Sequence, residues 1–220
     1  HAAIPTFDPT GGGWLQPLKK ILIAGGGSAG WMTAALCSRL FHGLYEIVLV
    51  ESEEIGTVGV GEATIPAIKK FNELLGLDED DFLRKTQGSF KLGIQFRNWW
   101  RQGESYLHGF GVIGQDLGWL RCHQYWLRMR ELGRAGDFDN LSINNAMALS
   151  NKFMRARPDM AESPIGHIAH AFHFDAGLYA KHLSTFAQAR GVKRREGKIV
   201  DVSLRAEDGF VQSVTMDDGE

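Results

Sequence analysis

The sequence predicts an α/β fold organised around a βαβ unit, and three observations carry that prediction. A short apolar run, Leu18 to Ala24, leads directly into Gly25-Gly26-Gly27-Ser28-Ala29-Gly30, and Trp31 to Leu40 follows with helix formers at helical spacing. A second apolar run, Tyr45 to Val50, ends on Glu51. Strand, glycine turn, helix and strand thus fit in about thirty residues, the size such a crossover needs. At the far end, Val192 to Gly219 alternates in polarity and is punctuated by Asp208-Gly209 and Asp218-Gly219, which predicts an antiparallel β-meander.

The remaining elements follow in order. Residues 1–17 hold three prolines and Gly11-Gly12-Gly13, with no apolar period and no basic start before an apolar core. They read as a flexible linker and not as a signal peptide, so the domain is expected over 18–220. Residues 56–65 form a glycine-rich loop, and Pro66 to Leu75 reads as a helix with proline in its first turn. Asp78 to Lys85 reads as a second helix whose acidic start suits its N-terminal dipole. An amphipathic helix is expected over 118–133, ending at Gly133, and another from Gly177 to Arg190, stopped by Gly191. There is no internal repeat.

Composition narrows the function. Of 220 residues, 24 are Lys or Arg and 26 Asp or Glu, a formal net charge of −2, which gives no electrostatic reason to expect nucleic acid or an anionic membrane. The longest apolar runs are strand-sized, so no bilayer-spanning helix is expected. The two cysteines, Cys37 and Cys122, are far apart, which argues against a disulfide scaffold or a cysteine zinc site and points to a reducing, cytoplasmic setting. Glycine, at 27 residues against 6 prolines, is clustered as loops that approach a ligand require.

In the fingerprint, Gly25 turns the chain, Gly27 lets the backbone reach a pyrophosphate, and Gly30 lets helix and strand pack closely. Ser28 and Ala29 open the helix, whose free N–H groups attract phosphate. Glu51 is placed to accept hydrogen bonds from a ribose, and its charge would repel a 2′-phosphate, which leaves FAD or NAD. A second glycine-rich loop, Thr57 to Pro66, is more than a simple dehydrogenase needs. Together with the C-terminal helix and meander, it resembles the flavin hydroxylase type of FAD domain, in which the strand near Ile199 lies by the adenine. Flavin is favoured.

A more specific resemblance rests on several motifs. They are Gly25 to Met32, Gly59-Val60-Gly61-Glu62-Ala63-Thr64-Ile65-Pro66, Ser89-Phe90-Lys91 with Phe96-x-Asn98-Trp99, Tyr106 to Gly111, His123 to Arg128, and Phe172 to Tyr179. These resemble flavin-dependent tryptophan (indole) halogenases across residues 19–220. The resemblance implies a two-component enzyme: a separate flavin reductase supplies FADH2, O2 gives the flavin C4a-hydroperoxide, and chloride or bromide attacks it to give hypohalous acid. Lys91 matches the lysine that passes the halogen to an aromatic carbon. Residues 59–66, including Gly61, Glu62, Ala63 and Thr64, match a strap that touches the flavin. His108 and Phe110 match the aromatic walls around an indole ring. Family chains are more than twice this long, so these residues are expected to be the N-terminal portion of a longer polypeptide. A Trp-x-Trp-x-Ile-Pro segment and a second catalytic residue would then lie beyond Glu220. A homodimer is compatible with this reading. The alternatives are a flavin-dependent aromatic monooxygenase, which has no need of Lys91, and a non-catalytic FAD-binding fragment.

The chemistry asks for such a lysine independently. An electrophilic halogen must be held and oriented, and an ammonium can hydrogen-bond hypohalous acid while the neutral amine can form a haloamine. Lys91 sits in the apolar stretch Phe90 to Ile94, where burial would lower its pKa. Other candidates are set aside. His167, His170 and His173 with Asp175 lack a strand geometry that would converge on a metal. Arg194-Arg195 reads as a solvated edge, Asp78 to Asp81 as a helix start, and Trp99-Trp100 as core packing.

Overall fold

The structure, a computed structural model, describes residues 6–7, 14–15, 18–55 and 61–220. The chain divides into two units: His1–Gly61, Leu74–Gln87 and Asp175–Glu220 form the first, and Glu62–Glu73 with Gly88–Phe174 form the second.

In the first unit, β1 (Thr6–Phe7) and β2 (Trp14–Leu15) pair antiparallel, ahead of the domain boundary expected at residue 18. The βαβ unit follows as β3 (Lys20–Ala24), α1 (Ser28–Leu40) and β4 (Glu46–Glu51), with β3 and β4 parallel from Lys20↔Glu46 to Ala24↔Val50. α3 (Glu79–Thr86) is capped by the Asp78 carboxylate, which accepts from the Asp81 N–H at 2.9 Å, and Arg84 and Lys85 sit in its last turn. α6 (Ala176–Gln188) is capped in the same way by Asp175. α1 packs against α6, and Ala34 and Ala35 of α1 and Tyr179, Leu183 and Ala187 of α6 are all buried. Phe82 of α3 meets Tyr179 edge-on, with ring centroids 5.3 Å apart. Phe82→Ala is expected to destabilise the chain by about 3–5 kcal/mol, read as a drop in the urea midpoint.

The C-terminal strands correct the sequence reading. β10 (Lys193–Glu196) is not part of a meander. It runs parallel to β4 from Lys193↔Val48 to Glu196↔Glu51, giving the sheet order β10-β4-β3. Only β11 (Ile199–Leu204) and β12 (Val211–Met216) form an antiparallel pair. Alternation is a local signal and cannot reveal which strand becomes the neighbour. Here an ion pair from Lys193 to Glu46 at 2.8 Å ties β10 to β4 across a long stretch of sequence.

In the second unit, β5 (Gly61–Ala63), β9 (Ala171–Asp175) and β6 (Ser89–Lys91) form a sheet in the order β5-β9-β6. β7 (Gly93–Arg97) and β8 (Ser105–Gly109) form a hairpin. Part of the expected glycine loop is therefore strand, while its Gly59 lies outside the described residues. α2 (Ala67–Leu75) starts directly after Pro66, as expected. α4 (Cys122–Glu131) begins later than expected, because Leu117 and Leu120 bridge each other in a turn and Asp116 accepts from the Cys122 N–H at 2.8 Å. α5 (Ile143–Leu149), capped by Ser142, has no counterpart in the sequence reading. Trp99 and Trp100 are 75% and 72% exposed rather than core. They follow Asn98 at the hairpin turn, where φ of Asn98 is +56° and strand alternation ends. Among the described residues no helix is long and apolar enough to cross a membrane.

Candidate functional site

The first unit holds a cavity of about 610 Å³ at the end of the parallel sheet, outside the glycine turn. Gly25 makes the turn at φ +108°, and its N–H donates to the Val50 carbonyl at 2.8 Å. A side-chain carbon at Gly30 would fall 1.9 Å from the Gly25 carbonyl oxygen, so helix and turn close only on glycine. Gly27 caps α1 without a side-chain hydrogen bond, which leaves the first-turn N–H groups for an anion. Of the expected cofactor residues, Gly25, Gly27, Glu51 and Ile199 line this cavity, and Ser28, Ala29 and Gly30 form the helix turn behind it. The donor set suits the ADP half of FAD: backbone N–H groups for pyrophosphate and a carboxylate for ribose.

Glu51 is already held. Its Oε2 accepts from Trp31 Nε1 at 3.2 Å and its Oε1 from Arg194 Nε at 2.5 Å. Arg194 is exposed on the edge strand β10, as expected, but its guanidinium also lines the cavity and pairs with Glu53 at 3.0 Å and Glu196 at 2.7 Å. Hydrogen bonding to Glu51 raises the pKa of its guanidinium still further. Sequence reasoning missed this partner because β10 joins β4 only in three dimensions. Arg195 pairs instead with Asp218 and Glu220.

The second unit brings Lys91 and Phe110 together. β6 sets Lys91 opposite Ala171, with the residue only 8% exposed. Its Nζ donates to the Thr64 carbonyl at 2.8 Å and lies 5.5 Å from the centre of the Phe110 ring. Thr64 is itself pinned to β9. Its N–H donates to the Phe172 carbonyl at 3.0 Å, and its hydroxyl accepts from the Phe172 N–H at 3.1 Å. Burial pulls the Lys91 ammonium below the usual lysine range. His173 shares the Lys91 face of the β6–β9 pair, and burial, then the Lys91 charge, lower its pKa. His108 lies on β8 opposite Ile94, two residues from Phe110 and exposed. Gly61, Glu62 and Ala63 form β5, which enters the same sheet as Lys91.

A desolvated ammonium costs stability, so Lys91→Met is expected to raise the melting temperature by roughly 2–4 °C at pH 7. The sign with pH follows from the lowered pKa. Above the depressed folded value the native state releases its proton first, so the parent gains stability as pH rises toward the usual 10.5. The advantage of Lys91→Met is full at lower pH and shrinks through that window, which melting curves at several pH values would show.

Two residues on α5 escaped the sequence reading. Asn144 Nδ2 donates to the Leu92 carbonyl at 3.2 Å and the Ala169 carbonyl at 2.5 Å, bracing the chain next to Lys91. Asn145 Nδ2 donates to the Leu107 carbonyl at 3.1 Å, and its Oδ1 lies where a side-chain carbon at Gly109 would be, 2.0 Å away. Gly109→Ala is therefore expected to cost about 1–3 kcal/mol in a urea titration. Buried asparagines carry no periodic signature, so the sequence reading had no pattern by which to find them.

The histidines separate. His167 lies in a 3-10 turn, Pro164–His167, and not on a strand. His170 is buried with its Nε2 3.0 Å from Lys69 Nζ, and only His173 is in β9. Among the described residues no group of three or more His, Cys, Asp or Glu side chains could hold a metal ion.

Comparison with known proteins places these features in context. A family model described as tryptophan halogenase matches residues 20–220. The tryptophan 7-halogenase RebH of Lentzea aerocolonigenes is 32% identical over 213 residues, covering 90% of this chain and 39% of RebH. Among solved structures, BrvH, a flavin-dependent halogenase from Brevundimonas sp. BAL3, is 42% identical with a TM-score of 0.83, covering 92% of this chain and 40% of BrvH. Xcc4156, a flavin-dependent halogenase from Xanthomonas campestris, matches equally well, at 42% identity and TM-score 0.83, with 92% of this chain and 40% of that one covered. The chain thus spans about two fifths of the length of these relatives.

Proposed function

The chain belongs to the tryptophan halogenase family, and from that premise we propose that it carries the flavin-binding and halogen-delivering parts of an FADH2-dependent halogenase acting on an indole or tryptophan-type ring. One observation carries the reading: a buried lysine, Lys91, held by the Thr64 carbonyl against the ring of Phe110. Bound reduced FAD, renewed by a separate reductase, supplies hypohalous acid from O2 and chloride or bromide.

The chain's own residues do the rest. Gly25, Gly27 and the first turn of α1 receive the pyrophosphate, Glu51 receives the ribose, and Ile199 covers the adenine. Gly61, Glu62, Ala63 and Thr64 form the strap. As an ammonium, Lys91 donates a hydrogen bond to hypohalous acid and keeps it from diffusing. The lowered pKa of Lys91 favours the neutral amine as well. Its lone pair can attack the halogen, forming N–X as the HO–X bond breaks, and water leaves after proton transfer. Phe110 and His108 present ring faces on either side of an indole, where an aromatic carbon then takes the halogen as the N–X bond breaks, and the ring proton returns to the amine.

A reductase-coupled incubation with FAD, NADH, O2, bromide and a panel of indoles, read by mass spectrometry, tests this. A brominated product is expected. Oxygenated product alone would overturn the halogenase in favour of a monooxygenase. FAD binding without any product in this chain, together with bromination by a longer polypeptide containing it, would reduce these residues to the flavin-binding portion.

A further inference from the structure

The glycine fingerprint carries a fourth glycine, Gly26, that phosphate binding does not explain. Its φ is not in the left-handed region, so the backbone makes no demand for glycine there. The demand is for space. A side-chain carbon at Gly26 would fall 1.5 Å from Glu51 Oε2 and 2.4 Å from both Cβ and Cδ of Glu51. The carboxylate lies directly on the turn.

We propose that Gly26, Trp31 and Arg194 are positioning residues that seat the Glu51 carboxylate over the glycine turn before any nucleotide arrives. The inference rests on the flavin dinucleotide reading and deepens it. Each wall of the seat is fixed by something other than the ligand. Trp31 is 2% exposed and reaches Oε2 at 3.2 Å from within α1. Arg194 reaches Oε1 at 2.5 Å from the parallel strand β10, and its Nη2 is anchored to Glu53 and Glu196. Gly26 supplies the floor by having no side chain. A carboxylate has about four lone-pair sites, so acceptor capacity remains for ribose hydroxyls after both donors are served. Three carboxylates, Glu51, Glu53 and Glu196, surround the single guanidinium of Arg194, so the seat stays acidic and disfavours a phosphate on the ribose. The ribose meets an acid that has already lost its rotational freedom, which is the condition for tight binding through few contacts.

The test is a cycle of Gly26→Ala and Glu51→Asp, first without ligand and then with FAD. Shortening the acid by one methylene withdraws Oε2 and Cδ from their places above residue 26, while the 2.4 Å Cβ contact remains. Gly26→Ala is expected to lower the urea midpoint by on the order of 1 M in the parent and by about half that in the Glu51→Asp background. With FAD followed by flavin fluorescence, Gly26→Ala should weaken binding about tenfold or more in the parent, but less than about threefold where Glu51→Asp has already dismantled the seat. Arg194→Met should reproduce the tenfold loss of FAD affinity in the parent and show the same dependence on Glu51. Equal effects of Gly26→Ala in both backgrounds, in either measurement, would overturn the seat and return Gly26 to phosphate binding. A parent that does not bind FAD would overturn the flavin reading, while the ligand-free cycle still decides the seat.

Discussion

Lys91→Ala is expected to lower bromination of an indole by about 10³-fold, the scale on which removal of a positioned proton-carrying group acts. FAD affinity should stay unchanged, because Lys91 is not among the residues lining the glycine-turn cavity. The size of the effect follows from the site. Lys91 has its ammonium on the Thr64 carbonyl and beside the Phe110 ring, and alanine leaves nothing there to hold an electrophilic halogen. Lys91→Arg separates the two ways the lysine can act. A guanidinium donates hydrogen bonds but stays protonated at any working pH, so it can orient hypohalous acid and cannot form an N–X bond. Activity near that of the parent in Lys91→Arg would assign the hydrogen bond, and loss as deep as in Lys91→Ala would assign the amine. Bromination that survives in Lys91→Ala would overturn the role of the lysine altogether. The reductase-coupled assay with mass-spectrometric detection reads all three.

The second large effect is expected at Gly30. A methyl there would meet the Gly25 carbonyl oxygen at 1.9 Å and the Gly25 carbonyl carbon at 3.0 Å, and both atoms are backbone in the turn itself. Neither can swing aside, so Gly30→Ala must push α1 away from β3. A loss of about 3 kcal/mol or more, at the upper end for overpacking, is expected in urea, together with loss of measurable FAD binding. Gly27→Ala is the contrasting control. A side-chain carbon there has no heavy atom within 4 Å, so stability should not change. The methyl would instead occupy the space that a pyrophosphate needs against the turn, and FAD affinity alone should fall, by about tenfold. If both variants lose binding and stability together, the division of labour between the two glycines is wrong.

What the sequence made legible was local. Ala24, the glycine turn, the α1 face and Glu51 lie within one crossover, and each is announced by its neighbours, so β3, α1 and β4 could be read in place. The burial of Lys91 was legible because its flanks are apolar. Long-range partners left no such trace. Lys193 to Glu196 have a composition that suits an exposed hairpin, and only pairing with β4 turns Arg194 into the companion of Glu51. Asn144 and Asn145 brace carbonyls 25 to 52 residues away in the chain, beyond any periodic pattern. Trp99-Trp100 misled for the opposite reason. Size and apolarity argued for core, whereas a turn at Asn98 sets the direction of the pair.

The placing of the indoles has an optical consequence. Trp31 is buried, hydrogen-bonded to Glu51 and part of the cavity wall, whereas Trp99, Trp100 and Trp119 face solvent. Iodide or acrylamide should therefore extinguish the red-shifted emission of the exposed rings first and leave a blue-shifted remainder to which Trp31 contributes. An isoalloxazine bound nearby absorbs in that emission range, so cofactor capture should be visible as energy transfer from Trp31. The same indole that hydrogen-bonds Glu51 would then report optically on the occupancy of the cavity it lines.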